Sequence, residues 1–358
     1  MIAPMPIEYK YKYSGDKFEL NDLTVPVLRR KTGEAASLSI INQIKSMNLG
    51  IADLSSFASA KMQNLSFYED RDFGYYVDVN FRDSSISIYE NWEKWDSPLS
   101  RCADQRCYNE NQLTIDDIPS DEELILIANG FLSQYGIVMD SYKDPEVVDD
   151  WRISYDAAAD KQYAWVPDQI QIRYSLIVEG ETVYDQAGNP FGLTVNVNIR
   201  HKRASGAWGL RANQFESSDY EAIADAEKII AYAESGGMAG LIYYEQNEQT
   251  QAAAEVELGT PERVLVQIYN YANNKNNELL VPALRFPIIA KSDDLAFFWR
   301  SSVIVPLAKE LIDDSVLQER KPMPVDDGII INNSGSSGSG EEDAPLPPEG
   351  ADAVEVRE

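Results

Sequence analysis

Two cysteines separated by four residues, Cys102 and Cys107, are the first candidates for chemistry, and they lie in the polar segment RCADQRCY. A spacer of this length can close as a local disulfide loop. Free cysteine prefers apolar surroundings, which this segment lacks, so the pattern favours a disulfide over two free thiols. A disulfide in turn indicates an oxidising compartment.

A single histidine, His201, excludes most general-base and metal-site architectures, because these need a placed imidazole and usually more than one. His201 follows a predicted strand in RHKRASG and is interpreted as a loop residue. Asp70 and Asp72 in EDRDFG lack the further acidic ligands of a calcium loop, so a hairpin turn is favoured there. None of the 59 acidic residues has a spacing that singles out a glycosidase pair. We therefore predict no catalytic residue, no metal site and no cofactor, and we do not expect an enzyme.

Tryptophans are the remaining candidates for a ligand or partner site: Trp92, Trp95, Trp151 and Trp165. Clustered tryptophan and tyrosine, of which the chain has 20, form sugar platforms or the centres of protein interfaces. Trp92 continues the alternation of the strand SISIYE. For this residue, packing in or beside the core is favoured over a ligand platform.

Two nearly identical decapeptides indicate an internal duplication: FGYYVDVNFR at 73–82 and FGLTVNVNIR at 191–200, which begin 118 positions apart (191 − 73). Both alternate apolar and polar residues, as half-buried strands do. NLSFYED precedes the first copy and SSISIYENW follows it, which predicts a three-stranded meander. The second copy follows IQIRYSLIVEGETVY and the turn DQAGNPFG, which predicts a hairpin.

Three segments have the pattern of amphipathic helices. One begins with a capping box at Ser120 and ends at Gly136, and a second begins in the same way at Ser218 and ends at Gly236. A weaker third, GEAASLSIINQIKSMNLG, ends at Gly50. Strand-like segments follow each of these glycines, including AEVELG, RVLVQIYNY and LLVPALRFPII.

This order predicts an α+β fold of repeated modules, each with one helix packed on an antiparallel meander. The expected regions are 1–150, with a cysteine-containing insertion at about 95–115, and 151–330. The acidic Gly, Ser and Pro composition of 331–358 predicts a disordered tail.

Charge and hydropathy exclude several classes of partner. With 31 basic and 59 acidic residues among 358, the net charge of −28 repels phosphate backbones and anionic lipids, so no nucleic-acid partner is expected. The sequence has no run of 18 apolar residues and no signal-peptide pattern at its start. Attachment to a membrane is therefore expected only through an anchor that is absent from this sequence.

The hairpin GETVYDQAGNPFGLTVNVNI and the helix YEAIADAEKII resemble the layout of bacterial extracytoplasmic proteins of the YycH/YycI type and PepSY-like modules. The resemblance covers residues 169–237 best. It implies an envelope protein that faces outward, works by contact with other envelope proteins and has no catalytic residues. This chain differs from that group in its missing N-terminal anchor helix, its cysteine-containing insertion and its acidic tail.

The leading hypothesis is a non-enzymatic extracytoplasmic protein, regulatory or structural, that contacts an envelope protein or associates with itself. The first alternative is a protein that binds cell-wall carbohydrate or hydrolyses glycans with two carboxylates. The second is a subunit of a surface assembly, because repeated meanders leave edge strands.

Overall fold

The computed structural model shows an α+β protein with two sheets in which antiparallel pairing dominates. It describes residues 9–32, 63–161, 164–240, 254–272, 275–291 and 300–312. Two predicted segments, the helix that ends at Gly50 and the tail 331–358, lie outside these residues.

The strands, in chain order, are β1 Tyr9–Tyr13, β2 Thr24–Arg30, β3 Asn64–Tyr68, β4 Tyr75–Asn80, β5 Ser85–Glu90, β6 Glu146–Val148, β7 Gln169–Ser175, β8 Ile177–Val178, β9 Glu181–Tyr184, β10 Gly192–Asn198, β11 Arg203–Arg211, β12 Phe215–Glu221, β13 Ala254–Leu258, β14 Glu262–Ala272, β15 Lys275–Lys291 and β16 Ser302–Pro306. The α-helices are α1 Gln105–Glu110, α2 Asp121–Gln134, α3 Trp151–Ala157 and α4 Ala226–Glu234.

The smaller sheet has the strand order β3-β4-β5-β11-β10-β7-β6. The predicted meander around the first decapeptide is confirmed as β3-β4-β5. The predicted pairing around the second is confirmed as β7 with β10. The two decapeptides therefore supply the central strands, β4 and β10, of two three-stranded meanders that join edge to edge through β5 and β11.

The two meanders are related by a local two-fold axis. Val77 and Val195 hold the same position in the decapeptides, and they pair with Ile88 and Ala207, respectively. Ile88 and Ala207 pair with each other in the antiparallel β5–β11 ladder. The axis thus passes close to this pair, as expected of a duplicated unit that contacts its own copy.

The structure explains why glycine recurs in both decapeptides. A Cβ atom at Gly74 would overlap the carbonyl oxygen of Glu69, and one at Gly192 would overlap that of Tyr174. The backbone at this point of each copy approaches another strand too closely for any side chain.

The shared asparagine also has one role in both copies. Asn80 Oδ1 accepts a hydrogen bond from Asp83 N at 2.9 Å, and Asn198 Oδ1 accepts one from His201 N at 3.2 Å. Each asparagine fixes the turn after its strand by bonding to the backbone three residues on.

Helix α2 confirms the predicted capping at Ser120, whose hydroxyl accepts from Glu123 N at 3.2 Å. Its buried face, Leu124, Ala128, Phe131 and Leu132, packs on β7, β10 and β11. One face of the smaller sheet is thereby covered over the second meander.

The larger sheet contains the path β1-β13-β15-β14-β9-β8, with β2 and β16 also paired to β15 and β12 paired to β2. Strands predicted from AEVELG, RVLVQIYNY and LLVPALRFPII are confirmed as β13, β14 and β15. Helix α4 packs on β1 and β16, so it covers the larger sheet and not the second decapeptide.

The predicted start of the second helix at Ser218 is wrong. Ser218 lies in β12 opposite Val27 of β2, and the helix begins after Asp225, whose carboxylate accepts from the backbone N–H of Glu227 and Lys228. The Ser-x-x-Glu pattern can form a capping box only in a helical backbone, and pairing with β2 holds this segment extended. The predicted stop is confirmed, because Gly236 has a φ of 92°.

Each sheet takes strands from both sides of position 150. After β7 the chain leaves the smaller sheet, and β9 pairs in parallel with β14 of the larger one before β10 returns to β7. The segment between β7 and β10 is therefore a link between the sheets and more than the turn predicted from DQAGNPFG.

Candidate binding surface

Cys102 and Cys107 form a disulfide with Cα atoms 5.3 Å apart, in agreement with the prediction. The bridge connects the start of the insertion to α1, whose N-terminus is capped by Asp104 through Cys107 N at 2.8 Å. The insertion is a local surface excursion, and the disulfide closes it on itself.

Trp95 is buried and structural. Its Nε1 donates to the carbonyl oxygen of Gly74 at 2.8 Å, and its ring lies at 5.3 Å from that of Phe73 and 5.8 Å from that of His201. His201 lies in the turn after β10, as predicted, with Nε2 at 2.7 Å from the carbonyl oxygen of Asp96. This cluster attaches the beginning of the insertion to both copies of the repeat.

The other three candidate tryptophans do not join this cluster. Trp92 is 71% exposed, so the predicted packing in or beside the core is wrong. The strand alternation stops at Glu90, and the following turn buries Asn91 in its place. Trp165 is 63% exposed, and Trp151 is half-buried under the guanidinium of Arg152. Within the described residues, no ring contact joins any two of the four tryptophans.

Three tyrosines, which sequence reasoning did not single out, form a row across the first meander. Tyr68, Tyr76 and Tyr89 are direct cross-strand neighbours on β3, β4 and β5. The ring centroids of Tyr68 and Tyr76 are 5.7 Å apart, as are those of Tyr76 and Tyr89. Tyr68 is 61% and Tyr89 45% exposed. We call these three residues the tyrosine ladder.

The tyrosine ladder lies on the face of the sheet opposite α2. Side chains alternate between faces along a strand. Tyr75 of β4 packs on Phe131 of α2, so its neighbour Tyr76 lies on the other face. The polar residues of that face, Asp78 and Ser66, are also cross-strand neighbours. The open face of the first meander is therefore an aromatic row beside a polar one.

Asp78 holds the third tyrosine of the ladder in place. The Tyr89 hydroxyl donates to Asp78 Oδ2. Hydrogen bonds from Ser66 and Tyr89 lower the pKa of the Asp78 carboxyl below its usual value, and the same bond raises the pKa of the Tyr89 phenol. The carboxylate form of Asp78 and the neutral form of Tyr89 are thus the states that fit this contact.

A second feature of the same face is a cleft of about 340 Å³ between the two sheets. Two arginines from different sheets meet there at one carboxylate: Arg30 Nε lies 2.6 Å from Glu278 Oε2, and Arg211 Nη1 lies 2.6 Å from Glu278 Oε1. The three side chains are 7%, 9% and 4% exposed, respectively. Arg211 also lies over the ring of Phe191 at 4.2 Å. We call this the arginine cleft.

Strand β5 connects the tyrosine ladder to the arginine cleft. Tyr89, Ser87 and Ser85 point to one face because they alternate along the strand, and Ser85 pairs with Arg211. Ser85 and Ser87 line the cleft. At about 3.4 Å per residue, the ladder and the cleft are about 13 Å apart along β5.

Some of this surface has a signal in the sequence. The alternation that identified β4 and β5 also places Tyr76 and Tyr89 on the side opposite the apolar residues, which marks them as exposed. The arginine cleft has no such signal, because Arg30 and Glu278 are 248 positions apart.

Two further searches concern the described residues. No group of three or more His, Cys, Asp or Glu side chains in this part of the chain is placed to hold a metal ion. None of the helices described is long and apolar enough to cross a membrane.

Comparisons with known proteins close the description of the surface. No protein-family model matches the sequence, and no curated protein matches it. Among solved structures, the chain is similar to the Bacillus megaterium YpeB C-terminal domain, with 13% sequence identity, coverage of 77% of this chain and 99% of that chain, and a TM-score of 0.24. We draw no conclusion about function from a similarity this low.

Proposed function

We propose that this chain is a non-enzymatic extracytoplasmic protein that binds a protein partner on the open face of its smaller sheet. The observation that carries the proposal is the tyrosine ladder, three exposed and mutually stacked rings opposite the helix-covered face. Tyrosine is enriched at the energetic centres of protein interfaces.

The ladder has the physical properties of a prepared contact surface. Each ring is fixed by its cross-strand neighbour, and Tyr89 is also fixed by Asp78. Rigid aromatic side chains lose little conformational entropy when a partner covers them. Covering them removes apolar area from water, at about 25 cal/mol per Å².

An extracytoplasmic setting is supported by the disulfide between Cys102 and Cys107, because such bonds persist in oxidising compartments. A non-enzymatic role is supported by the state of the buried carboxylate on this face. Glu278 accepts hydrogen bonds from Arg30, Arg211 and Gln267, which engage both of its oxygens.

The stacking favours a protein partner over a glycan. Sugar platforms present ring faces to the ligand, whereas Tyr76 and Tyr89 are stacked at 25° and turn faces toward each other. The surface offered by the middle of the ladder therefore consists of ring edges and hydroxyl groups. These suit a mixed apolar and polar protein surface.

The test is site-specific photocrosslinking with p-benzoylphenylalanine, applied to envelope extract from the source cells. The probe replaces Tyr68, and in the control it replaces Leu126, which is 72% exposed on α2. We expect one discrete crosslinked protein from position 68 and none from position 126. Substituting Tyr76→Ser and Tyr89→Ser in the probe-bearing chain should remove it.

Three results would overturn the proposal. Equal crosslinking from positions 68 and 126, or a product that persists in the Tyr76→Ser and Tyr89→Ser variant, would show that the ladder is not the contact. Sedimentation of the chain with cell-wall polysaccharide, without a crosslinked protein, would favour the carbohydrate-binding alternative. A product that contains a second copy of this chain would support the assembly-subunit alternative instead.

A further inference from the structure

The arginine cleft holds more hydrogen-bond donors than acceptors. A guanidinium has five N–H donors and no acceptor. Arg30 donates through Nε to Glu278 and through Nη1 to the carbonyl oxygen of Asp83, both at 2.6 Å. Arg211 donates through Nη1 to Glu278, but its buried Nη2 has no hydrogen-bond partner in the described part of the chain. A buried cationic donor without an acceptor is costly, so the geometry calls for another acceptor.

Neither acidic side chain of the cleft meets this need. Glu278 Oε1 already accepts from Arg211 and, at 2.7 Å, from Gln267 Nε2, while Oε2 accepts from Arg30. The Asp83 carboxylate accepts from Asn80 Nδ2 at 3.2 Å. The acceptor for Arg211 must therefore come from outside this set.

The charge of the buried group indicates what that acceptor is. Two guanidinium ions and one carboxylate, all at most 9% exposed, leave a net charge of one positive unit. A singly charged carboxylate brings this group to neutrality and matches the planar donor geometry of arginine. A doubly charged phosphate would leave a net negative charge beside Glu278, and burying an unpaired charge is unfavourable.

We propose that the arginine cleft is a binding site for a carboxylate group, with Arg211 as its principal donor. The cleft volume of about 340 Å³ admits a small organic acid or the acidic end of a polypeptide, and Ser87 and Tyr269 add hydroxyl groups to its lining. The proposal stands independently of the tyrosine ladder, because it depends only on the donors and charges of the cleft.

The experiment follows the Nε–Hε signals of arginine by NMR in the ¹⁵N-labelled full-length chain. The probes are sodium acetate and an acetylated trialanine peptide with a free C-terminal carboxylate. The controls are the same peptide as its C-terminal amide, and sodium chloride at matched ionic strength. We expect a saturable shift of the Arg211 signal with both carboxylates and none with either control.

Arg300 provides an internal control signal. It is buried, and all of its guanidinium nitrogens donate: Nε to Ser302, Nη2 to Gly236, and Nη1 to Tyr11 and Gly240. Its signal should not respond to the probes. The two sources of carboxylate are distinguished by affinity, because the peptide should bind about tenfold or more tightly than acetate if the natural ligand is a polypeptide. The reverse order would indicate a small acid.

Two variants test the roles within the cleft. Arg211→Gln should weaken acetate binding by about tenfold or more, since a charge-assisted hydrogen bond is lost. Glu278→Gln should tighten it, because a competing carboxylate charge is removed. Dispersion of the backbone amide signals verifies that each variant is folded, and the wild-type titration decides the question if either is not. No saturable shift at Arg211, the same shift with chloride, or an equal shift at Arg300 would overturn the proposal.

Discussion

Ile88 and Ala207 hold equivalent positions in two copies of a three-stranded meander and are cross-strand partners of each other. The contact has the form of a symmetric dimer interface, in which one surface meets its own copy. Joining β5 to β11 also removes one exposed strand edge from each meander. The duplication therefore produced a continuous sheet instead of two separate modules.

Replacing the glycines of the repeat tests the close approaches that both copies share. Gly192→Ala should lower the free energy of unfolding by about 2 kcal/mol or more, because its Cβ would overlap the carbonyl oxygen of Tyr174. Gly130→Ala in α2 is the matched control, since no atom lies within 4 Å of its added Cβ. This variant should raise the free energy of unfolding by about 0.5–1 kcal/mol through helix propensity. Urea denaturation measures both, and a neutral Gly192→Ala variant would contradict the description of the β7–β10 pairing.

The start of α4 is testable with two alanine substitutions. Asp225→Ala should lower the free energy of unfolding by about 1 kcal/mol, because the N-terminal N–H groups of Glu227 and Lys228 lose their acceptor. Ser218→Ala lies in an exposed position of β12 and should change it by less than about 0.5 kcal/mol. Thermal or urea unfolding of the two variants distinguishes them. The opposite order would restore Ser218 as the start of the helix.

Reducing the disulfide should have a local effect. The double variant Cys102→Ser and Cys107→Ser opens a short loop, which costs at most about 2–3 kcal/mol of chain entropy. Hydrogen–deuterium exchange should accelerate in residues 95–115 and stay unchanged in β4 and β10. Faster exchange throughout both central strands would show that the insertion supports the whole sheet.

Buried tyrosines should make the protein less stable at high pH. Burial raises the pKa of Tyr174 to about 12, and its hydroxyl donates to Asn129 Oδ1 at 2.8 Å. Because the folded pKa exceeds the unfolded value of about 10, the contribution of Tyr174 to stability is complete below pH 10 and declines as the pH rises toward 12. Urea unfolding measured between pH 9 and pH 12 should show this decline.

A comparison with Tyr174→Phe isolates the tyrosine. That variant cannot ionise at this position, so its free energy of unfolding should fall less steeply over the same range. Absorbance of tyrosinate near 295 nm gives an independent measurement, in which Tyr174 should titrate later than exposed tyrosines such as Tyr68. Equal pH profiles for the two proteins would contradict the assigned cause.

Local sequence determined the elements whose signals lie within a few residues. Period-two alternation and turn residues identified β4, β5 and β10, and a capping residue identified the start of α2 at Ser120. Such signals depend on contacts between near neighbours in the chain. The cysteine spacing likewise predicted a bridge that closes over a short loop.

Tertiary structure decided which edges meet and what their meeting creates. Whether the segment around Ser218 is strand or helix depends on β2, and the exposure of Trp92 depends on where the β5 ladder stops. The arginine cleft requires Arg30, Arg211 and Glu278 to converge from three strands of two sheets. Pairing between distant strands is set by burial and hydrogen bonding over the whole molecule, and no local pattern in the sequence encodes it.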